Sequence, residues 1–179
     1  MIKLKIAFVC VIFSFSLVSN AQILDKIDLM GGFLFQKTHY LYNENGIGFD
    51  LSSKSILENR IHFKLAYLSS RFGTAINSNA IKQDNFILGA DWHFRSDKNL
   101  QILAGLNTGF FIADYEDPTY EVIPNTAVLL SIETGLVYNF NFPISTSLTA
   151  GYNLKSGNGD NVPGNLFPLF YRLSVYYRF

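Results

Sequence analysis

The sequence predicts an all-β protein, an eight-stranded antiparallel up-and-down transmembrane β-barrel. Apolar and polar residues alternate with period 2 in eight separate segments, which is the pattern of strands with two different faces. Most segments contain roughly 9 to 13 residues, the length of a tilted strand that crosses a bilayer. Short and long connections also alternate along the chain, as they do in outer-membrane barrels.

The composition excludes several other classes of protein. Of the 179 residues, 16% are charged, 49% are apolar and the formal net charge is +0, whereas an ordinary soluble domain is about 25% charged. These values exclude a nucleic-acid-binding protein and a disordered tail. After residue 21 no apolar run reaches the roughly 20 residues of a membrane-spanning helix, so a helical membrane protein is excluded as well.

The N-terminus has the features of a secretory signal peptide. Lys3 and Lys5 form the positive region, residues 6–18 form the apolar region, and residues 18–21 place small side chains where a signal peptidase reads them. Cleavage after Ala21 makes residues 1–21 the signal and residues 22–179 the barrel domain. A retained anchor helix needs a longer apolar run. The one cysteine, Cys10, leaves with the signal, which excludes disulfides, thiolate catalysis and cysteine-based metal sites in the mature chain.

Each segment divides into a large apolar face and a small or polar face. The predicted strands are residues 27–36, 46–54, 60–70, 86–95, 100–112, 126–140, 145–155 and 169–179. In the last segment, Leu169 and every second residue as far as Phe179 are Leu, Tyr, Val or Phe, while Arg172 and Ser174 lie at the other positions. Because successive side chains of a strand point to opposite faces, each strand has one apolar and one polar face.

The connections predict the orientation of the barrel. The short connections are residues 55–59, 96–99 and 141–144, and the long ones are residues 37–45, 71–85, 113–125 and 156–167. In outer-membrane barrels the short turns lie in the periplasm and the long loops lie outside. We therefore expect both termini on the periplasmic side.

The composition of the two faces predicts which one is outward. A lipocalin is also a secreted eight-stranded barrel, but a soluble barrel would cover its exterior with Lys and Glu. Here the polar face is mostly Gly, Ala, Ser, Thr and Asn, and the opposite face is Phe, Leu, Ile, Tyr and Trp. Small residues fit a narrow lumen and large apolar residues fit lipid, so the apolar face is predicted to contact lipid.

The C-terminal strand resembles a known assembly signal. It has apolar or aromatic residues at alternate positions, including Tyr177, up to a terminal Phe179, and looks like the signal by which outer-membrane proteins are recognised for assembly. The whole mature chain resembles the small OmpA-like and OmpX-like barrels. This resemblance implies an outer-membrane location and contact with outer-membrane lipids and the barrel-assembly machinery; we also expect a monomer. Because no peptidoglycan-binding domain follows the barrel, no link to the cell wall is expected.

Ionisable residues are predicted on the inward face. They are Asp28, Asp50, Lys54, Arg60, His62, Lys64, Asp91, His93, Arg95, Glu133, Lys155, Arg172 and Arg178. Because eight strands leave room for side chains but hardly for a channel, we expect a salt-bridge network that fills the lumen, formed by Asp28, Asp50, Lys64, Asp91, Glu133, Arg172 and Arg178. A gated ion path or a binding site is the alternative, and the excess of basic residues would then favour an anion.

Antiparallel register predicts two clusters within this network. A loop centred near residues 77 and 78 places Lys64 opposite Asp91, and a turn centred near residue 57 brings Asp50 toward Lys64. Closure of the barrel sets the first strand beside the last, so Asp28 should meet Arg178. We expect Asp50 with Lys64 and Asp91 in one cluster, and Asp28 with Arg178 in the other.

Catalytic motifs are absent from the sequence. Lipid A deacylases, which are also eight-stranded barrels, use a His and a Ser two residues apart. Here His39, His62 and His93 are followed two residues on by Leu41, Lys64 and Arg95. No P-loop, GxGxxG or HExxH motif is present either, so we expect neither an enzyme nor a cofactor.

One long connection is strongly acidic. Asp114, Glu116, Asp117 and Glu121 lie close together without a basic residue. Such carboxylates could bind Ca²⁺ or Mg²⁺, bridging to anionic lipid headgroups, although the spacing is not that of an EF-hand and a solvated acidic loop is the simpler interpretation.

The function predicted from these features is structural or surface interaction through extracellular loops, because a rigid scaffold commonly carries its binding specificity on loops. The alternatives are a lipid-modifying enzyme of the outer membrane and a small pore or secretion-system component.

Overall fold

The described part of the chain forms a closed antiparallel barrel of eight strands. The computed structural model describes residues 27–38, 42–53, 56–72, 81–115, 125–155 and 169–179. The strands are β1 (Ile27–Thr38), β2 (Tyr42–Ser53), β3 (Ile61–Phe72), β4 (Ile81–Phe94), β5 (Leu100–Tyr115), β6 (Thr126–Asn139), β7 (Ile144–Lys155) and β8 (Leu169–Arg178). Each strand pairs with its neighbours in sequence, and β1 pairs with β8. The predicted fold class is confirmed. Within the described ranges, no helix has the length and apolar character needed to cross a bilayer.

Several strands extend further toward the long connections than predicted. β2 begins at Tyr42 and β4 at Ile81, four and five residues earlier than expected, and β5 continues to Tyr115. The added residues are mostly polar on both faces, so they lack the alternation that predicts a strand. Their backbones still pair, as between Thr38 and Tyr42. Much of the predicted loops 37–45 and 71–85 is therefore strand, while residues 156–167 lie outside the described part.

The barrel has two different ends. The connections from β2 to β3, β4 to β5 and β6 to β7 lie at one end of the barrel, which we call the turn end. The other four connections lie at the opposite end, the loop end, although only residues 39–41 separate β1 from β2, so the first predicted long connection is wrong in length. The turn between β2 and β3 is a short 3₁₀ segment, Leu57–Asn59, whose three residues have φ of 47°, 55° and 64°. This left-handed conformation is unfavourable for residues other than glycine.

Side chains are sorted between the two faces as the alternation predicts. Outward side chains such as Phe33, Leu88 and Leu148 are 63%, 58% and 59% exposed. At intervening positions, Leu34, Ile87 and Thr149 are buried. An exterior of this kind would be a large exposed apolar patch in water and is typical of a barrel that faces lipid.

Aromatic side chains gather on the exterior near the turn end. They are Trp92, Phe94, Tyr138, Phe140, Phe142, Tyr177 and Phe179. The ring centroids of Trp92 and Phe94 lie 6.5 Å apart, and those of Tyr177 and Phe179 lie 5.4 Å apart. Aromatic girdles mark the levels at which membrane barrels meet the bilayer interface.

Part of the lumen is filled by apolar side chains. Met30, Leu34, Ala66, Leu68, Ile87 and Tyr176 form a buried cluster, and Phe111 and Phe170 are buried near the loop ends of their strands. Gly151 makes room for Phe170, because a Cβ atom at this glycine would overlap the phenyl ring. The charged side chains of the lumen occupy the space that remains.

Candidate functional site: the lumenal charge network

Glu133 on β6 is the centre of a buried charge network. Its Oε2 accepts hydrogen bonds from Arg172 Nη1 at 3.1 Å and Thr149 Oγ1 at 3.0 Å. Its Oε1 accepts a hydrogen bond from Asn107 Nδ2 at 3.0 Å and is ion-paired with Lys64 Nζ. All five residues are buried. Four donors on one carboxylate offset the cost of removing its charge from water.

Lys64 and Arg172 extend this network across the lumen. Lys64 Nζ lies 3.0 Å from Asp91 Oδ2, so its ammonium bridges Asp91 and Glu133. Arg172 Nε donates to Gln36 Oε1 at 2.9 Å, which ties β8 to β1. The two carboxylates and two cations are balanced, and they join strands on opposite sides of the barrel.

Gly105 creates the space in which the two carboxylates approach Lys64. This glycine on β5 lies opposite Asp91 on one side and Glu133 on the other. A Cβ atom at Gly105 would overlap Asp91 Oδ1 and come within 3.1 Å of Glu133 Cγ. The network therefore depends on a residue without a side chain between its two acids.

Gly105→Ala is expected to lower the free energy of unfolding by about 1–3 kcal/mol, because overpacking displaces the buried carboxylates. The matched control is Gly31→Ala, since the atoms nearest to a Cβ at this outward glycine belong to the rings of Phe49 and Phe179, at 3.2–3.3 Å, and such side chains can shift. Urea unfolding of both variants, refolded in detergent, measures the difference. Equal urea midpoints for the two variants would contradict the packing described here.

A second polar group lies nearer the turn end. Asp50 Oδ1 is 2.8 Å from His62 Nδ1. The His62 ring stacks on His93 with centroids 3.8 Å apart and planes 8° from parallel, and His93 Nδ1 is 2.7 Å from Gln101 Oε1. All four residues are buried, so neither imidazole lies at the lipid-facing surface.

A cavity of about 30 Å³ lies among these polar groups. Asp50, Asp91, Glu133, Arg172 and Tyr176 contribute to its lining. The volume has room for about two water molecules. The buried Tyr176 hydroxyl has no hydrogen-bond partner among the described residues, and water in this cavity would supply one.

The structure places the predicted network residues in several surroundings. Lys64, Asp91, Glu133 and Arg172 lie in one network, whereas Asp50 pairs with His62. The predicted pairing of Asp50 opposite Lys64 occurs. The predicted pairing of Lys64 opposite Asp91 is wrong by two residues, because Lys64 faces Gly89 and Asp91 faces His62. Lys64 reaches Asp91 because its long side chain spans the diagonal.

The expected pair of Asp28 and Arg178 is not formed. The register of β1 with β8 places Arg178 opposite Met30, two residues from the expected position, so Asp28 lies beyond the end of β8. Arg178 is exposed at the turn end, where Nη2 donates to Asn139 Oδ1 at 3.3 Å. Asp28 is half-buried.

The expected basic excess is not found among the buried lumenal groups that the structure describes. Arg60 and Arg95 are exposed at the turn end, and the side chains of Lys54 and Lys155 lie outside the described part. The buried ionisable groups include three carboxylates, on Asp50, Asp91 and Glu133, against the basic side chains of Lys64 and Arg172. The basic excess on which the expected preference for an anion was based is therefore not present among these residues.

Other predicted sites remain predictions. Asp114 is exposed on β5, but Glu116, Asp117 and Glu121 lie outside the described residues, as do His39 and the cleavage site at Ala21. Tyr177 and Phe179 lie on the exterior at the turn end and are 50% and 76% exposed.

Solved structures similar to this one include small outer-membrane barrels. The N-terminal barrel domain of Pseudomonas aeruginosa OprF aligns with a TM-score of 0.58 and 13% identity, over 86% of this chain and 98% of that one. P. aeruginosa OprH aligns with a TM-score of 0.55 and 13% identity, over 85% and 99%. Neisserial surface protein A aligns with a TM-score of 0.53 and 14% identity, over 85% and 94%. No protein-family model and no curated protein matches the chain. These similarities establish the fold, which is that of the small eight-stranded outer-membrane barrels.

Proposed function

We propose that the protein is a non-enzymatic outer-membrane barrel with a structural or surface-interaction role, exercised through its extracellular loops, and that its lumen does not conduct ions. The observation that carries the closed lumen is the buried carboxylate of Glu133, with donors from Lys64, Asn107, Thr149 and Arg172 around it; the role of the loops rests on the rigid scaffold that presents them. An ion crossing the barrel would have to separate these charges in a medium where they are poorly solvated, at a cost of several kcal/mol.

The exterior supports the outer-membrane location. Large apolar side chains cover the strands and aromatic rings gather at the turn end, as expected for contact with outer-membrane lipids. We also propose that the signal is cleaved after Ala21 and that the barrel-assembly machinery inserts the protein as a monomer.

The orientation of the barrel follows from its turns. Short turns in the periplasm would place both termini there. Protease added to intact cells should cut within residues 156–168 and spare residues 96–99; the opposite pattern would overturn the orientation.

The environment of the histidines supports a non-enzymatic role. His62 and His93 direct Nδ1 to Asp50 and Gln101 inside the lumen. A general base must reach the proton that it abstracts, and these rings face other lumenal groups. No cofactor is proposed.

Planar-bilayer recording tests the closed lumen. Refolded wild-type protein should give no sustained stepwise conductance, and Glu133→Ala, which removes the central carboxylate, should give brief openings. Lys98→Ala in an exposed turn is the control and should behave as wild type. A regular wild-type conductance would overturn the proposal and favour a small pore. Altered lipid acylation in a deletion strain, restored by the intact gene, would instead favour a lipid-modifying enzyme.

A further inference from the structure

Both ring nitrogens of His62 face hydrogen-bond acceptors. Nδ1 is 2.8 Å from Asp50 Oδ1, and Nε2 is 3.2 Å from the backbone oxygen of Asn59. A carbonyl oxygen can only accept a hydrogen bond, so Nε2 must carry a hydrogen. An ionised carboxylate also can only accept a hydrogen bond, so Nδ1 must carry a second hydrogen. The Asp50–His62 pair therefore holds one proton more than a neutral imidazole beside an ionised carboxylate.

His93 has a different hydrogen-bonding environment, although its ring stacks on His62. Gln101 Nε2 donates to the backbone oxygens of Ser96 and Lys98, both at 3.0 Å. This orients Gln101 Oε1 toward His93 Nδ1 as an acceptor, so a single N–H satisfies the contact at 2.7 Å. A second charged ring 3.8 Å from His62 would be repelled. His93 is therefore neutral.

The charges around the cavity require the same proton. The ionisable groups facing it besides His93 are the carboxylates of Asp50, Asp91 and Glu133, the cations of Lys64 and Arg172, and the hydroxyl of Tyr176. With Lys64 and Arg172 as its only cations, this set carries one uncompensated negative charge. One proton on the adjacent Asp50–His62 pair gives each buried carboxylate a compensating cation, which lowers the cost of burying it.

We propose that the Asp50–His62 pair is a proton-binding site of the lumen, occupied at neutral pH as an imidazolium–carboxylate pair beside a neutral His93. The bound proton also stabilises the turn between β2 and β3, where Leu57, Glu58 and Asn59 all have positive φ. The charged ring donates to Asp50 and to Asn59 at once. Without the proton, the ring can donate to only one of these two acceptors.

Nitrogen NMR of the imidazole rings tests this site in the refolded barrel at pH 7.5, where an ordinary histidine is about nine-tenths neutral. His62 should show two protonated nitrogens in most molecules, and His93 should show one. Single His39→Gln and His93→Gln variants assign the signals. Asp50→Asn should return most His62 rings to the neutral form and leave His93 neutral.

Two results would overturn the proposal. One is a neutral His62 ring in the wild-type barrel at pH 7.5. The extra proton would then either lie on Asp50 or be absent from the pair. The other is an imidazolium at His62 that persists in Asp50→Asn, since the carboxylate would then not be its partner. The wild-type spectrum decides the first point even when the variant does not refold.

Discussion

Glu133→Gln is expected to lower the free energy of unfolding by about 3–5 kcal/mol, because it leaves buried charges without their partner. The amide preserves the shape of the side chain but cannot form ion pairs with Lys64 and Arg172, which both contact the native carboxylate. The protein refolded in lipid vesicles and unfolded with urea gives this value. Thr134→Val, at an outward position on the same strand where the hydroxyl donates to Leu103 O, is the control and should cost less than about 1.5 kcal/mol.

A second substitution tests whether charge causes this loss. Arg172→Met should also be costly, since it removes a cation from Glu133. The double variant Glu133→Gln/Arg172→Met leaves Lys64 paired with Asp91, which lie 3.0 Å apart. It should therefore cost less than the sum of the single changes by at least about 1 kcal/mol. If the two losses of unfolding free energy simply add, the network stabilises the barrel through packing and not through paired charges.

The other large expected effect is the loss of assembly on replacing Tyr177 and Phe179 by Asp. Both side chains lie on the exterior at the turn end, with ring centroids 5.4 Å apart, and the backbone nitrogen of Phe179 donates to Leu29 O at 3.0 Å as β8 closes on β1. Aspartates there replace interfacial aromatics with charges. The protein should be exported and should not insert, as shown by loss of the heat-modifiable, protease-resistant form.

Arg178→Asp is the control for this experiment. It introduces the same acidic residue between the two aromatics, but at an inward position that is exposed at the turn end. This variant should assemble. Normal amounts of folded Tyr177→Asp/Phe179→Asp protein, or equal loss in the control, would show that the outward aromatics are not what assembly requires.

The faces of the strands could be predicted because alternation is a local property of the sequence. Phe33 and Leu34 differ little in hydrophobicity, but Phe33 lies outward and Leu34 inward because neighbouring positions set the phase of the strand. The strand ends could not be predicted in the same way. Residues 43–45 of β2 are all polar, and backbone pairing holds them in the sheet without any alternation of their side chains.

The inward direction of the buried charged side chains was predictable, but which of them join one network and how they pair was not. The alternation along the strands places Lys64, Asp91 and Glu133 on the inward face. Contact between these side chains depends on the register of neighbouring strands, which loop length does not determine. A register error of two residues changes which residues are paired. Gly105 has no charge or side chain that would identify it in the sequence as part of the network. The stacking of His62 on His93 could have been predicted, since both residues occupy inward positions near the turn end of adjacent strands.

The fluorescence of Trp92 tests the central claim, that the large apolar face contacts lipid. This is the single tryptophan of the sequence, and it lies on the outward face near the turn end, opposite Ile61 on β3. In vesicles whose lipids are brominated at the upper acyl positions, its emission should be strongly quenched, while aqueous iodide should have little effect. Strong quenching by iodide with none by the brominated lipids would place this face in water and contradict the account.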